Sequence, residues 1–433
     1  MISNNINIFK MKRIYFIFSL LSFVVASCQK NETMHDTINN IEINPELHLL
    51  QDVAEVIRNA NNHNFVFDMA TMAVNEADEF ESVYLNNLVS YKTKSAESLF
   101  DQMLEEINSI PNYYDGILNK VQTRSNTISE MELKDLDVEF YVPYPENFRN
   151  SQSNSVTVGY HPLVREDWTD GYKIYRDGKQ EYIPRVDDEY AQHNLTIIVM
   201  PKDTSTYSQP ISHDEIIEYL GITDTKSTIN NGLITQNITQ SDLIDEDDVL
   251  YTAVAGIRAN GKDWLKFLQR KMKLSIYRAS GDVVFASDGS IVPSGSSHKP
   301  ISIAISRSDC KDKVWQTNGY IFDDDWDLHE TNQKIYFVTE HNVNSDDSAT
   351  ATVGIGWKDG KFTVDAQLTA EVKVDFSGKS KLRVHNELTR KSILANNMDG
   401  LASGTHSYQG HNFAIRSYGI IDLVYVFYYT KVE

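Results

Sequence analysis

Apolar positions in the first folded stretch recur at helical spacing. Asn44 can cap a helix, Pro45 suits the first helical position, and Leu47, Leu50, Val53 and Ile57 follow three to four residues apart. Phe65, Met69, Met72 and Ala73 make a second stripe, and Val83, Tyr84 and Leu88 a third. A fourth starts near Ser95, carries Leu99, Phe100, Met103, Leu104 and Ile107, and stops at Pro111. Together they predict a helical region over 45–120, with the methionines as core filler rather than ligands.

From about Leu133 the period changes to two. "DVEFYVPY" and "SVTVGYH" alternate, and "NLTIIVMP" is a short apolar run of the kind buried strands show. A turn- and charge-rich segment, "REDWTDGYKIYRDGKQEYIPRVDDEYAQH", lies between them. These predict a small β-rich domain over 133–201. Residues 202–247 read as a polar connection with one short helix, capped by Ser212 and ended by Gly221. Residues 248–433 read as all β, with "LYTAVAGIR", "MKLSIYR", "DVVFA", "PISIAIS", "KIYFVTE" and "IIDLVYVFYY" as strands. The fold class is therefore mainly β with an N-terminal α-helical region and a C-terminal antiparallel β-sandwich.

The clearest alternation lies in 349–388. An Asp359-Gly360 turn would pair Trp357 with Phe362, Ile355 with Val364, Val353 with Ala366 and Ala351 with Leu368. A three-residue loop, Ser377-Gly378-Lys379, would then pair Val374 with Leu382 and Val372 with Val384. This predicts a three-stranded meander whose middle strand runs about 15 residues, or about 50 Å. Long alternating strands also occur in membrane-inserting hairpins, so a pore-forming reading stands beside the sandwich.

At the N-terminus, Lys12 and Arg13 precede the apolar run "IYFIFSLLSFVV", too short for a spanning helix, then Ala26, Ser27 and Cys28. A basic start, an apolar stretch and small residues make an export signal over 1–27, whether Met1 or Met11 is the start. "VASC" resembles the lipobox of bacterial lipoproteins, which implies lipidation of Cys28 and anchoring to the membrane. "QKNE" directly after it resembles the signal that sends Bacteroidetes-type lipoproteins to the cell surface, and residues 28–44 read as a polar tether. The only other cysteine is Cys310, so a lipidated chain has no internal disulfide.

Net charge then narrows the partners. The chain carries −21, and loss of the leader with Lys10, Lys12 and Arg13 makes it more acidic. So negative a surface repels phosphate backbones and anionic head groups, which excludes nucleic acid as a partner class. The 23 tyrosines suit strands and amphipathic contact surfaces, including surfaces that meet carbohydrate.

Catalytic motifs are absent. "HETNQ" and "HDEIIE" lack the second histidine of a zinc pair, and no GxSxG elbow, P-loop or dinucleotide fingerprint occurs. Cys310 lies between Asp309 and Lys311, but a lone thiol in a β-domain is ordinarily inert. The one constellation to weigh is "FDDDWDLHE". Asp323, Asp324, Asp325 and Asp327 sit between two strands, and clustered carboxylates can hold Ca²⁺. No glycine follows at EF-hand spacing, and the alternative is a solvated acidic loop with Trp326 in the core.

The lipobox together with "LLQDVAEVI", "LDVEFYVPYPENF", "VDDEYAQHNLTIIV", "ISRSDCKDKVW" and "DDDWDLHETNQKIYF" resembles a family of uncharacterised Bacteroidetes-type surface and outer-membrane lipoproteins. The resemblance spans most of the chain after the leader. It implies an outer-membrane, surface-exposed location and carries no catalytic or cofactor residues. The expected role is binding or assembly, with a glycan or a protein as partner. A hydrolase whose site is built from residues distant in sequence is the rival.

Overall fold

The computed structural model describes residues 44–62, 64–91, 98–110, 113–121, 127–150, 152–221, 231–238, 249–263, 265–317, 319–340, 346–359, 361–363, 365–376, 380–398 and 404–430. The leader, Cys28 and the tether up to residue 43 lie outside them, as do Gly360, Val364 and the Ser377-Gly378-Lys379 loop.

Helix α1, Pro45–Asn59, starts where Asn44 Oδ1 accepts a hydrogen bond from Glu46 N at 3.0 Å, and it buries Leu50, Val53 and Ile57. Helix α2 is Phe65–Glu76. The third apolar stripe is not a helix. Val83 and Tyr84 belong to strand β1, Ser82–Tyr84, and only Leu88 lies on a short helix, α3, Asn87–Ser90. Helix α4, Leu99–Ser109, is capped by Ser98, and helices α5, Asp115–Val121, and α6, Glu130–Lys134, follow. Then come β2, Val138–Tyr141, β3, Ser155–Tyr160, β4, Thr169–Tyr175, β5, Gln180–Val186, helix α7, Asp188–His193, and β6, Thr196–Pro201.

These strands form one sheet in the order β1-β2-β6-β3-β4-β5, antiparallel except for the β3–β6 pair. Helices and sheet share a single core running from Leu49 and Val53 through Phe100 to Val158, Ile197 and Val199. The expected helical region and small β-rich domain are therefore one packing unit. An amphipathic stripe and a one-sided sheet each need a cover, and here each covers the other.

Helix α8, His213–Tyr219, opens the second unit. Ser212 and Glu215 close a reciprocal capping box there. Strands β7, Asn231–Leu233, β8, Val249–Ala259, β9, Lys271–Phe285, and β10, Ile291–Ser306, lead to helix α9, Arg307–Asp312. Next are β11, Tyr320–Asp323, β12, Asn332–Glu340, β13, Ser348–Ile355, β14, Trp357–Lys358, β15, Lys361–Phe362, β16, Leu368–Asp375, and β17, Ser380–Thr389. Helix α10, Arg390–Ala395, and strands β18, Thr405–Tyr408, β19, His411–Ser417, and β20, Ile421–Thr430, end the described chain.

Two sheets face each other: β10-β9-β12-β17, and β11-β8-β20-β19-β18 with β7 on β20. Leu250, Val254, Leu423 and Phe427 of one meet Leu274, Ile276, Ile335 and Phe337 of the other. The fold is mainly β with an N-terminal helical region and C-terminal antiparallel sheets.

The meander does not form. Trp357 pairs with Phe362 as expected, but Ile355 then pairs with Leu368, Val353 with Ala370 and Ala351 with Val372. The register is four residues away from the simple hairpin. An even shift leaves every side chain on its expected face, so alternation alone cannot distinguish the two registers. β17 joins β12 instead, with Val384 opposite Phe337 and Leu382 opposite Val338.

The β13–β16 hairpin forms a third layer on the outer face of β9 and β12, burying Val353 and Val374 completely against a surface that includes Tyr277 and Tyr336. Gly281 and Gly295 are paired across β9 and β10 and leave the room it needs. A Cβ on Gly281 would lie 2.6 Å from Ile355, and one on Gly295 would overlap Val372. Gly295→Val is thus expected to cost about 1–3 kcal/mol by overpacking. Limited proteolysis should find new cuts between 348 and 375, and an unchanged melting temperature and digest would refute this account of the third layer.

Candidate ligand site between the two units

The units meet on the face of the first sheet opposite helix α1, where α7 also packs. Tyr141, Ile198 and Met200 pack there against Phe267 and Leu268. Tyr141 donates its hydroxyl hydrogen to Phe267 O at 3.3 Å, and Leu268 N donates to Glu166 O at 2.7 Å. Glu139 of β2 and Arg270, which precedes β9, form an ion pair with side chains 0% and 7% exposed. Lys271 and Asp203 form another.

Beside this seam lies a cleft of about 460 Å³, lined by Glu81, Tyr144, Glu146, Lys262, Arg307 and Lys311. Two of these residues hold an unfavourable backbone. Glu81 has φ 61° and Tyr144 φ 57°, and neither is glycine. Glu81 is set by a tight turn in which Asp78 Oδ1 accepts from Phe80 N at 2.9 Å and Ser82 N at 3.1 Å. Tyr144 precedes Pro145, which makes its left-handed conformation costlier. Such strain costs about 1–3 kcal/mol per residue and concentrates at functional sites.

The polar groups are unevenly satisfied. Tyr144 hydroxyl donates to Asp188 Oδ1 at 2.8 Å and accepts from Lys262 Nζ at 2.9 Å; Lys262 also reaches Asp188 Oδ2 at 2.9 Å. Arg307 donates to Lys266 O at 2.8 Å and pairs with Asp188. Burial alone would raise Asp188, but Arg307, Lys262 and Tyr144 hold it below the usual carboxylate range. Glu81, 6% exposed, has no hydrogen-bond partner on Oε2, and Arg307 has none on Nε. Burial pushes the Glu81 carboxyl up to about 7 against the opposing pull of Arg307 and Lys311. The cleft thus offers a carboxyl lacking a donor, an arginine edge lacking an acceptor and a half-exposed lysine.

The acidic run is arranged differently. Asp323 turns into the sandwich, where it pairs with Arg278 and accepts from Gln333, while Asp324 is exposed. Trp326 is 1% exposed and donates Nε1–H to Glu330 O at 2.9 Å. Asp325 is pushed up to about 6 by burial and by Asp327 and Asp323. Glu330 is pushed up to about 8 by burial, then by Asp323. Among the described residues no three His, Cys, Asp or Glu side chains share a metal-binding arrangement: Asp323 is committed to Arg278, while Asp324, Asp325 and Asp327 lie on the exposed loop that follows it. Cys310 is fully buried, and burial followed by Asp309 pushes its thiol up to about 12, leaving it neutral at pH 7.

Neither Glu81 nor Tyr144 belongs to a sequence motif. Comparison with protein-family models, curated proteins and solved structures finds no match.

Proposed function

We propose that this chain is an envelope protein, lipid-anchored at the outer membrane through Cys28 and exposed on the cell surface, that binds a small polar ligand in the cleft around Glu81. The binding reading rests on one observation: Glu81 Oε2 and Arg307 Nε, both buried and both without partners, border the same cleft. A ligand carrying an ammonium or hydroxyl group and a carboxylate or carbonyl group would satisfy both. "VASC" and "QKNE" support the anchor and its outward display.

A panel of amino acids, amino sugars and short hydroxy acids, screened by thermal shift, tests the site. At least one compound should raise the melting temperature, and Glu81→Gln and Lys311→Ala should each abolish the rise. No stabilising compound, or one equally effective on both variants, would sink the proposal. For the anchor, Cys28→Ser should move the protein from the membrane fraction to the soluble fraction; a variant still in the membrane counts against lipidation.

Glu81 also has a stability signature. Its folded pKa lies above its ordinary 4.5, so its favourable contribution is complete below that value and lost as pH rises through about 7. Glu81→Gln should therefore raise stability at pH 8 by on the order of 2 kcal/mol and change little at pH 4. Equal effects at both pH values would show that the carboxyl is not held in this state.

The same residue favours one second reading. A carboxyl poised near neutrality in a cleft suits general acid–base work, as a hydrolase requires. Glu81→Gln would then keep ligand binding and lose turnover. The pore reading has no comparable support, because its marker was a loosely held meander and the β13–β16 hairpin is packed.

A further inference from the structure

A second cleft, also about 460 Å³, lies within the first unit and away from the junction. It opens where α1 ends its cover of the sheet and β4 and β5 continue beyond it. Tyr160 and Tyr172 line its sheet side, and Tyr113 stands at its rim, 53% exposed. Tyr182 of β5 lies against Tyr172 with ring centroids 5.3 Å apart and is itself 52% exposed. Arg58 of α1 stacks over the Tyr172 ring at 4.1 Å, and Gln51 donates to the Tyr160 hydroxyl at 3.1 Å.

Flat ring faces bordered by amide, guanidinium and carboxylate groups match a ligand with apolar C–H faces and hydroxyl edges. Tyrosine supplies rigid amphipathic contact at low entropy cost. Charge narrows the class further. Arg58 is paired with Glu55 at 3.2 Å, Asp170 stands beside Tyr182, and the whole chain carries −21, so nothing here attracts a polyanion. An added peptide strand is disfavoured as well. The neighbouring sheet edge, β5, contains Pro184 and the charged Glu181 and Arg185, and its pairing with β4 is broken by a bulge.

We propose that this tyrosine-lined cleft binds a neutral oligosaccharide or polysaccharide chain. The site is independent of the Glu81 cleft, and either can fail without the other.

Affinity electrophoresis of the full chain in gels containing neutral glucans, mannans, xylans or galactans, with pectate and heparin as anionic controls, tests the proposal. Retardation by at least one neutral polysaccharide is expected. Tyr113→Ala and Tyr182→Ala remove exposed rings, so the fold should survive, as circular dichroism and melting temperature would verify. Each should weaken binding by about tenfold. Glu81→Gln should leave it unchanged. No retardation by any neutral polysaccharide, retardation by the anionic controls alone, or retardation that both tyrosine variants retain would overturn the proposal.

Discussion

Arg270→Ala is expected to destabilise the protein by about 3–5 kcal/mol, because it strands Glu139 without a countercharge at the seam between the two units. Glu139 is fully buried, and neither of its carboxyl oxygens has a hydrogen bond to fall back on. The two residues belong to different units, so the loss is also expected to divide the denaturant unfolding curve. The first unit, with its own helix–sheet core, and the second, with its own sandwich core, should then melt separately. Arg270→Met with Glu139→Met removes both charges and should recover most of the loss, since apolar groups of similar volume often replace a buried pair without penalty. A single transition at the wild-type midpoint for Arg270→Ala would show that the pair does not couple the units.

The second large effect belongs inside the sandwich. Arg278→Met should cost about 3–5 kcal/mol by leaving Asp323 buried and unpaired next to Gln333 and Glu330. The pH dependence follows from sign. Burial already raises the Asp323 carboxyl above its ordinary value, and Arg278 opposes that. Removing Arg278 raises it further, so the variant should be least impaired in acid and lose stability as pH rises through the folded pKa of Asp323. Denaturant midpoints at pH 5 and pH 8 would show it, with the greater loss at pH 8. Adding Asp323→Leu should restore stability and flatten the pH dependence. If the single variant loses as much at pH 5 as at pH 8, an uncompensated carboxylate is not the cause.

Both pairs bear on how far sequence reading reaches. Asp323 is legible as one of four aspartates within five residues, and the natural chemistry for such a run is a hard cation. What the run does not disclose is that Asp323 is buried while Asp324, Asp325 and Asp327 stay exposed. A strand ends at Asp323 and sends its side chain inward to Arg278, 45 residues earlier, while the next residue is exposed. One aspartate of the cluster became a core residue, because the strand carries Asp323 into the sandwich and stops there, leaving the other three on a loop.

The junction cleft shows the converse. Glu81, Tyr144, Lys262 and Arg307 are separated by 45 to more than 200 positions, with ordinary neighbours. Nothing local marks them. The unpartnered atoms of Glu81 and Arg307 and the raised Glu81 carboxyl arise only where the two units close on one another. The tyrosine cleft lies between these cases: an abundance of tyrosine is visible, but not that helix α1 would end over Tyr172 and leave Tyr182 exposed.

What the sequence determined by itself is local and periodic. Asn44-Pro45 and Ser212 through Glu215 set helix starts because a side-chain oxygen within three residues satisfies a free N–H. Alternation set which side of β16 would be buried, because the strand period leaves no other choice. Tertiary structure decided everything that alternation leaves degenerate. It chose a hairpin register four residues from the simplest one, moved β17 from β16 to β12, and merged the helices with the first sheet. The reason is that a shift by an even number of residues, or an exchange of one apolar strand partner for another, keeps every local rule satisfied. Only the shape of the opposing surface, down to the missing Cβ atoms of Gly281 and Gly295, distinguishes the alternatives.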